Sequence, residues 1–284
     1  DYGIDFTKKL ITNDFINHIH FTGSENTYKS IQKTLQNENK SCNITAELGC
    51  VTPWVIFPGK YTENEIKNIA IQLVNAKKNN GGSNCITPQV LILPEKWEQK
   101  NILHDLILKE IQNQQTVPCY YPNSIENKKN MMNIYKDNSY VISSTNKLEM
   151  TSKDDDIVII DYGLISNEKK EGICFKQEAF GPVLVTATIE NNNIEQYVDN
   201  VINTLNSEQI YGSLSCSLFC PQDMNNELIN KCIYELEYGT IAINIWSLFG
   251  YIASTLGGTW GGYYKNLQSG RGRIGNLFNN QYVS

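Results

Sequence analysis

Three short stretches of this chain pair residues able to do covalent chemistry with backbone able to hold them. In "NNGGSNC" (79–85) a thiol ends a loop of small and polar residues. Gly81 and Gly82 let the backbone bend tightly and come close to a bound molecule, and amide N–H groups in such a bend stabilise a thiolate or an oxyanion. Cys85 is a candidate nucleophile on these grounds, although a cysteine taken at random is more often a small packing residue. In "TAELGC" (45–50), Glu47 closes an otherwise apolar stretch just before Leu48 and Gly49. Partial desolvation in such a turn favours proton acceptance and makes Glu47 a candidate general base; an ordinary capping or surface glutamate is the commoner case. In "QEAFGPVLV" (177–185), Glu178 and Phe180 precede the Gly181-Pro182 turn. That turn fixes both side chains, as reading a ribose hydroxyl and a flat ring would require, and a plain loop-to-strand junction has the same pattern.

These residues need a rigid mount. Thr62-x-x-Glu65 is a capping box followed by Ile66, Ile69, Ala70, Leu73 and Val74 on one face. The pattern predicts an amphipathic helix over 62–78, with Lys77 and Lys78 suited to its negative end. Short apolar runs at 18–23, 53–59, 89–94, 156–163, 183–190, 213–219 and 239–246 predict strands; helical patterns lie near 24–37, 96–115, 124–136, 193–206 and 223–237. Strands alternating with helices predict an α/β protein with a largely parallel sheet. Cys85 then falls between a helix and the strand "QVLILP". "TSKDDD" (151–156) reads as a solvated loop, with an acidic catalytic cluster the less common alternative. A boundary is expected near 48–52, because the first 48 residues cannot bury a core alone and read as the tail of a domain that begins upstream.

With 284 residues, 40% of them hydrophobic, the chain has room for one large or two ordinary domains. A net charge of −6 without a dense Lys/Arg run argues against a nucleic-acid partner. The longest apolar stretches are too short to span a bilayer, and the first residues lack a basic-then-apolar leader pattern. Eight irregularly spaced cysteines are most simply reduced thiols of a cytoplasmic protein. His18 and His20 would share a strand face, but no further ligand cluster accompanies them, so no metal is expected.

Taken in order, the motifs resemble those of the aldehyde dehydrogenase superfamily. "FTGS" (21–24) is similar to its cofactor-side strand end, "ELGC" to its glutamate motif and "NGGSNC" to its nucleophile motif; "EAFGPV" (178–183) matches its Glu-x-Phe-Gly-Pro motif. "GTIAINIW" (239–246) is similar to its Gly-x-x-x-x-Asn strand and "WGGYYKNLQSGRGRIGNL" (260–277) to its closing segment. The resemblance implies a catalytic domain with a largely parallel sheet plus the tail of a Rossmann-like cofactor domain. Residues 1–48 would be that tail, 49–255 the thiol domain and 256–284 a closing segment returning toward the cofactor and oligomerisation region. It implies Cys85 as nucleophile and Glu47 as general base, in oxidation of a small-molecule aldehyde to a carboxylic acid through a thiohemiacetal and a thioester, with NAD or NADP as cofactor. Gly23, Ser24, Glu178 and Phe180 would contact the cofactor, and Asn244 and Trp246 would line the substrate tunnel. A homo-oligomer is implied as well. Three departures stand out: Cys50 replaces a glycine, Ser83 replaces a glutamine, and most of the family's dinucleotide-binding portion has no counterpart here. The rival expectation is therefore an inactive relative with a binding or structural role, and a third is a Cys–His hydrolase pairing Cys85 with His20 or His104.

Overall fold

The computed structural model describes residues 3–115, 117–142, 156–165, 172–254, 260–263, 265 and 267–271. Apart from Asp156, the "TSKDDD" loop lies outside these residues, as does much of the closing segment. The chain begins with α1 (Gly3–Ile11), β1 (His18–Thr22), α2 (Glu25–Asn37) and β2 (Asn43–Glu47). The sequence pattern does not announce β2, because "NITAE" has no apolar run. Its alternation is short: Asn43, Thr45 and Glu47 share one face, while Ile44 and Ala46 pack on the other against Tyr28, Phe21 and Leu48.

A larger sheet follows. Its strands are β3 (Trp54–Ile56), β4 (Val90–Pro94), β5 (Ser139–Ile142), β6 (Ile157–Leu164), β7 (Val183–Ile189), β8 (Ser215–Phe219) and β9 (Thr240–Ile243), in the spatial order β5-β6-β7-β4-β3-β8-β9. All neighbours are parallel except β5 and β6. The central strands β3, β4 and β8 are buried along their whole length, the mark of a parallel sheet covered on both faces. The connecting helices are α3 (Glu63–Lys78), α4 (Lys100–Asn113), α5 (Ser124–Ile134), α6 (Ile173–Lys176), α7 (Ile194–Leu205), α8 (Asn226–Glu235) and α9 (Leu248–Ser254). Finally β10 (Gly270–Arg271) pairs antiparallel with β2, completing a three-stranded sheet in the order β1-β2-β10. The expected α/β fold with a largely parallel sheet is what the chain adopts.

α3 starts where its capping box predicts. Thr62 Oγ1 accepts from the Glu65 backbone N–H at 3.3 Å, and a Glu65 carboxylate oxygen accepts from the Thr62 N–H at 2.7 Å. Its predicted face, Ile66, Ile69, Ala70, Leu73 and Val74, is buried, each large aliphatic chain contributing about 1.5–3 kcal/mol. The end of α3 differs from expectation. Lys77 and Lys78 are buried, and the Lys78 ammonium donates to the carbonyls of Ile111, Gln114 and Gln115 at 2.8, 2.8 and 3.2 Å. It therefore caps the C-terminal end of α4 rather than that of its own helix. Lys77 donates to the Pro88 carbonyl at 3.3 Å, tying α3 to the approach of β4. Among the described residues no helix is long and apolar enough to cross a membrane.

Candidate active site

β2 carries Glu47 to the end of the small sheet, level with Thr22 on β1 and Gly270 on β10. Beyond it, Ser269 grips the chain: its carbonyl accepts from the Leu48 N–H at 3.1 Å and its hydroxyl donates to the Gly49 carbonyl at 2.8 Å. The passage from Glu47 to Cys50 is consequently buried, and Glu47 itself is only 7% exposed.

The loop bearing the thiol is shaped by its own sequence. After α3 the chain enters a tight turn in which Asn80, Gly81 and Gly82 have φ of +52°, +61° and +79°. Asparagine tolerates this left-handed region better than other side-chain-bearing residues. Here Asn80 Nδ2 donates to Asn84 Oδ1, and Asn84 Nδ2 donates to Asn79 Oδ1, both at 2.7 Å. The glycines permit close approach as well as the bend. A Cβ on Gly81 would stand 2.9 Å from the Pro118 carbonyl oxygen, and one on Gly82 would stand 2.4 Å from that of Gly181. The second contact seats the loop on the turn that follows Glu178 and Phe180. Ser83, the residue that departs from the family motif, donates its hydroxyl to the Phe180 carbonyl at 2.8 Å. Thr52 Oγ1 donates to the Cys85 carbonyl at 2.8 Å and the Trp246 indole N–H to the Ile86 carbonyl at 2.9 Å.

Three side chains from separate parts of the chain converge in this frame. The Cys85 thiol donates to Glu47 Oε1 at 3.3 Å. Glu178 lies across Gly49, so closely that a Cβ there would stand 1.9 Å from Glu178 Oε2, and the Cys50 backbone N–H donates to its carboxylate. Burial pushes the Glu178 carboxyl up to about 7, with that N–H acting in the opposite sense. The Cys85 thiol is pushed well above the ordinary cysteine range, first by burial, then by the charge of Glu47 and the hydrogen bond to it, then by Glu178. Burial and the hydrogen bond to Glu47 both favour the protonated thiol in this arrangement.

The other expected site residues divide. The Gly23 N–H donates to the Glu47 carbonyl at 3.1 Å, so it abuts the glutamate. Ser24 is the N-cap of α2, its hydroxyl accepting from the Thr27 N–H at 3.2 Å. Phe180 has φ of +47° and meets the Tyr121 ring edge-on, with centroids 4.6 Å apart. Trp246 reaches the residue after Cys85 through its indole. Asn244 does not join the cluster: its Oδ1 accepts from the Cys220 N–H at 2.7 Å, and it borders a cavity lined by Tyr61, Gln72 and Gln222. The Cys–His pairing is not formed. His20 Nδ1 lies 2.8 Å from Thr45 Oγ1 and His104 Nε2 lies 2.6 Å from the Tyr140 hydroxyl, while Glu47 is the partner of Cys85. No disulfide joins any of the eight cysteines, and the described residues contain no group of three or more His, Cys, Asp or Glu able to hold a metal ion.

Several residues that build the site were not singled out by the sequence reading: Thr52, Gln89, Tyr121 and Ser269. Gln89 left a signal, a lone polar residue opening the apolar run "QVLILP", and Ser269 lies within the closing segment 260–277.

The sequence pattern of the aldehyde dehydrogenase family matches residues 1–276. The chain belongs to the aldehyde dehydrogenase family. Solved dehydrogenases share its fold. AldH from Staphylococcus aureus, in a substrate-bound state, is 20% identical with a TM-score of 0.70, matching 96% of this chain and 54% of its own. A betaine aldehyde dehydrogenase double variant from the same organism, in complex with NAD+, is 20% identical with a TM-score of 0.72, over 94% of this chain and 50% of its own. An NAD-dependent aldehyde dehydrogenase from Sinorhizobium meliloti is 18% identical with a TM-score of 0.71, over 95% and 50%. The chain thus spans about half the length of these dehydrogenases. No curated protein matches the sequence.

Proposed function

We propose that this chain is the thiol-bearing part of an NAD(P)-dependent aldehyde dehydrogenase that converts an aldehyde to a carboxylic acid. The observation that carries the reading is the 3.3 Å contact between the Cys85 thiol and Glu47 Oε1, with Glu178 packed on the same Glu47–Cys50 passage. Glu47 is in reach to accept the thiol proton. The thiolate then adds to the carbonyl carbon of the aldehyde and forms a thiohemiacetal on Cys85. A nicotinamide dinucleotide, when bound, supplies the hydride acceptor. The acyl group is left as a thioester on Cys85. Once Glu47 has passed the first proton to solvent, its carboxylate takes a proton from an incoming water, whose oxygen attacks the acyl carbon; the acid departs, the sulfur is freed as thiolate, and the proton on Glu47 returns to it.

The residues present fit the ribose–nicotinamide end of such a cofactor. Gly49 leaves room that a Cβ would fill, and the half-buried Glu178 carboxylate lies in that space, with acceptor capacity for a ribose diol. Phe180, held on Tyr121, offers a ring beside it. Gly23 and Ser24, between β1 and α2, would border the phosphate-side path. The division of the chain at about residues 48 and 255, and association with further copies of the chain, belong to the same proposal.

One observation favours a second reading, a binding or structural relative without turnover. The Cys85 thiol is buried against the Glu47 carboxylate at 3.3 Å, and burial and that negative charge both disfavour the thiolate. The decisive assay is NAD(P)-dependent oxidation of a panel of aldehydes by the longest natural form of the chain. Turnover that vanishes in Cys85→Ala supports the dehydrogenase reading; turnover unchanged in that variant overturns the role of Cys85. Absence of any aldehyde oxidation favours the second reading.

A further inference from the structure

Gln89 stands four residues after Cys85 and is 3% exposed. Its side-chain amide is fully engaged. Nε2 donates to the carbonyls of Cys174 and Gln177 at 2.6 and 2.8 Å, and Oε1 accepts from the Ala179 N–H at 2.6 Å. Gln177 and Ala179 are the two residues flanking Glu178. One side chain therefore grips the backbone on both sides of Glu178 and fixes the direction in which its carboxylate leaves the chain. The backbone of Gln89 is equally committed: its N–H donates to the Val51 carbonyl at 3.1 Å and its carbonyl accepts from the Val185 N–H at 2.7 Å. It thus touches the passage that follows Glu47, the segment that follows Cys85 and the arm that bears Glu178.

Only a side-chain amide meets this demand, because two carbonyls require donors while an N–H requires an acceptor. Glutamate would lose both donors, methionine all three bonds, and asparagine has the groups but is one methylene short. The arm has other contacts, from the Asn127 amide to the Ala179 carbonyl at 3.2 Å and from the Ser83 hydroxyl to the Phe180 carbonyl at 2.8 Å. Neither holds both neighbours of Glu178.

We propose that Gln89 is the positioning residue that holds the Glu178–Phe180 arm against Cys85 and so sets how strongly the Glu178 carboxylate acts on the thiol. The proposal rests on Cys85 being the reacting group, and it concerns a residue that touches neither substrate nor cofactor. The groups facing Glu178 and the thiol are Glu47 at the end of β2, the Cys50 N–H, the Cys50 thiol and the Tyr211 hydroxyl. They are unchanged in the variants below.

The test measures the rate of Cys85 alkylation by iodoacetamide at pH 8, read at the Cys85 peptide by mass spectrometry. Glu178→Gln removes one negative charge from beside the thiol and is expected to speed labelling at least about threefold, a shift of roughly half a pH unit. Gln89→Met releases the arm and is expected to speed labelling by a similar factor, whereas the double variant gains nothing over either alone. Non-additivity of this kind is the signature of two residues acting through one contact. An unchanged rate in Gln89→Met, an unchanged rate in Glu178→Gln, or effects that multiply in the double variant would each overturn the proposal. Should Gln89→Met fail to fold, Gln89→Asn reads the same coupling; failure of both would assign Gln89 to the core and also overturn it. Turnover is not the readout, so a lack of aldehyde oxidation bears on the proposed function and leaves this result standing.

Discussion

The Glu178 carboxyl should write a pH dependence into the stability of the fold. Burial raises it from 4.5, ordinary for glutamate, to about 7. Folding must therefore compete with ionisation across that interval. Below about pH 4.5 the side chain is protonated in both folded and unfolded chains, and its contribution is complete. As pH rises through about 7 the contribution is lost, because the unfolded chain releases the proton more readily than the folded one. A rise of about 2.5 pH units, at about 1.4 kcal/mol each, sets an upper bound of about 3.5 kcal/mol; the side chain is half-buried, so the measured value should be smaller. Glu178→Gln keeps the shape without the ionisation. Urea unfolding of both proteins at intervals from pH 4.5 to 8.5 should give nearly equal stabilities at the acid end. The glutamine variant should then gain steadily on the natural protein up to about pH 7–8, with no further divergence above. Parallel curves, or a gap that closes as pH rises, would refute the claim that Glu178 is desolvated against Gly49.

Gly82→Ala should cost at least about 2 kcal/mol in denaturant unfolding, since it combines a left-handed backbone with a Cβ 2.4 Å from the Gly181 carbonyl oxygen, a backbone atom that cannot swing aside. Thr62→Ala should cost about 1 kcal/mol by breaking the capping box of α3, with no effect on Cys85 labelling. Lys77, lowered by burial from 10.5 to about 7, disfavours the folded chain most at and below neutral pH, and that penalty shrinks as pH rises toward 10.5. Lys77→Met should accordingly raise stability by about 1–3 kcal/mol near pH 6, a gain that fades toward pH 10 in the same unfolding assay.

The sequence by itself determined the elements whose signals are local. The Thr62–Glu65 box fixed the start of α3, and continuous apolar runs marked β3 and β4, because a strand buried on both faces has no polar side to confuse the pattern; β8 alternates serine with apolar residues and is buried all the same. Gly81 and Gly82 announced a tight bend before Cys85; that it is left-handed from Asn80 onward was decided by the structure. The motifs and their order carried the family. Strands with weak local signals were invisible: β2 alternates over only five residues, and β5 lies at an edge where little is buried. Tertiary structure alone decided what meets what. Lys77 and Lys78 read as an ordinary basic helix end, yet packing between α3 and α4 turned Lys78 toward foreign carbonyls. Asn244, expected to line the tunnel, accepts from the Cys220 N–H through its Oδ1 and borders the cavity beside Tyr61 and Gln72. The meeting of Cys85, Glu47 and Glu178, separated by 38 residues and more along the chain, is made by contacts between segments that no single element contains. Hydrogen-bond partners so far apart in sequence leave no periodicity to read, because their distance is set by how whole sheets pack and not by the spacing of residues along one element.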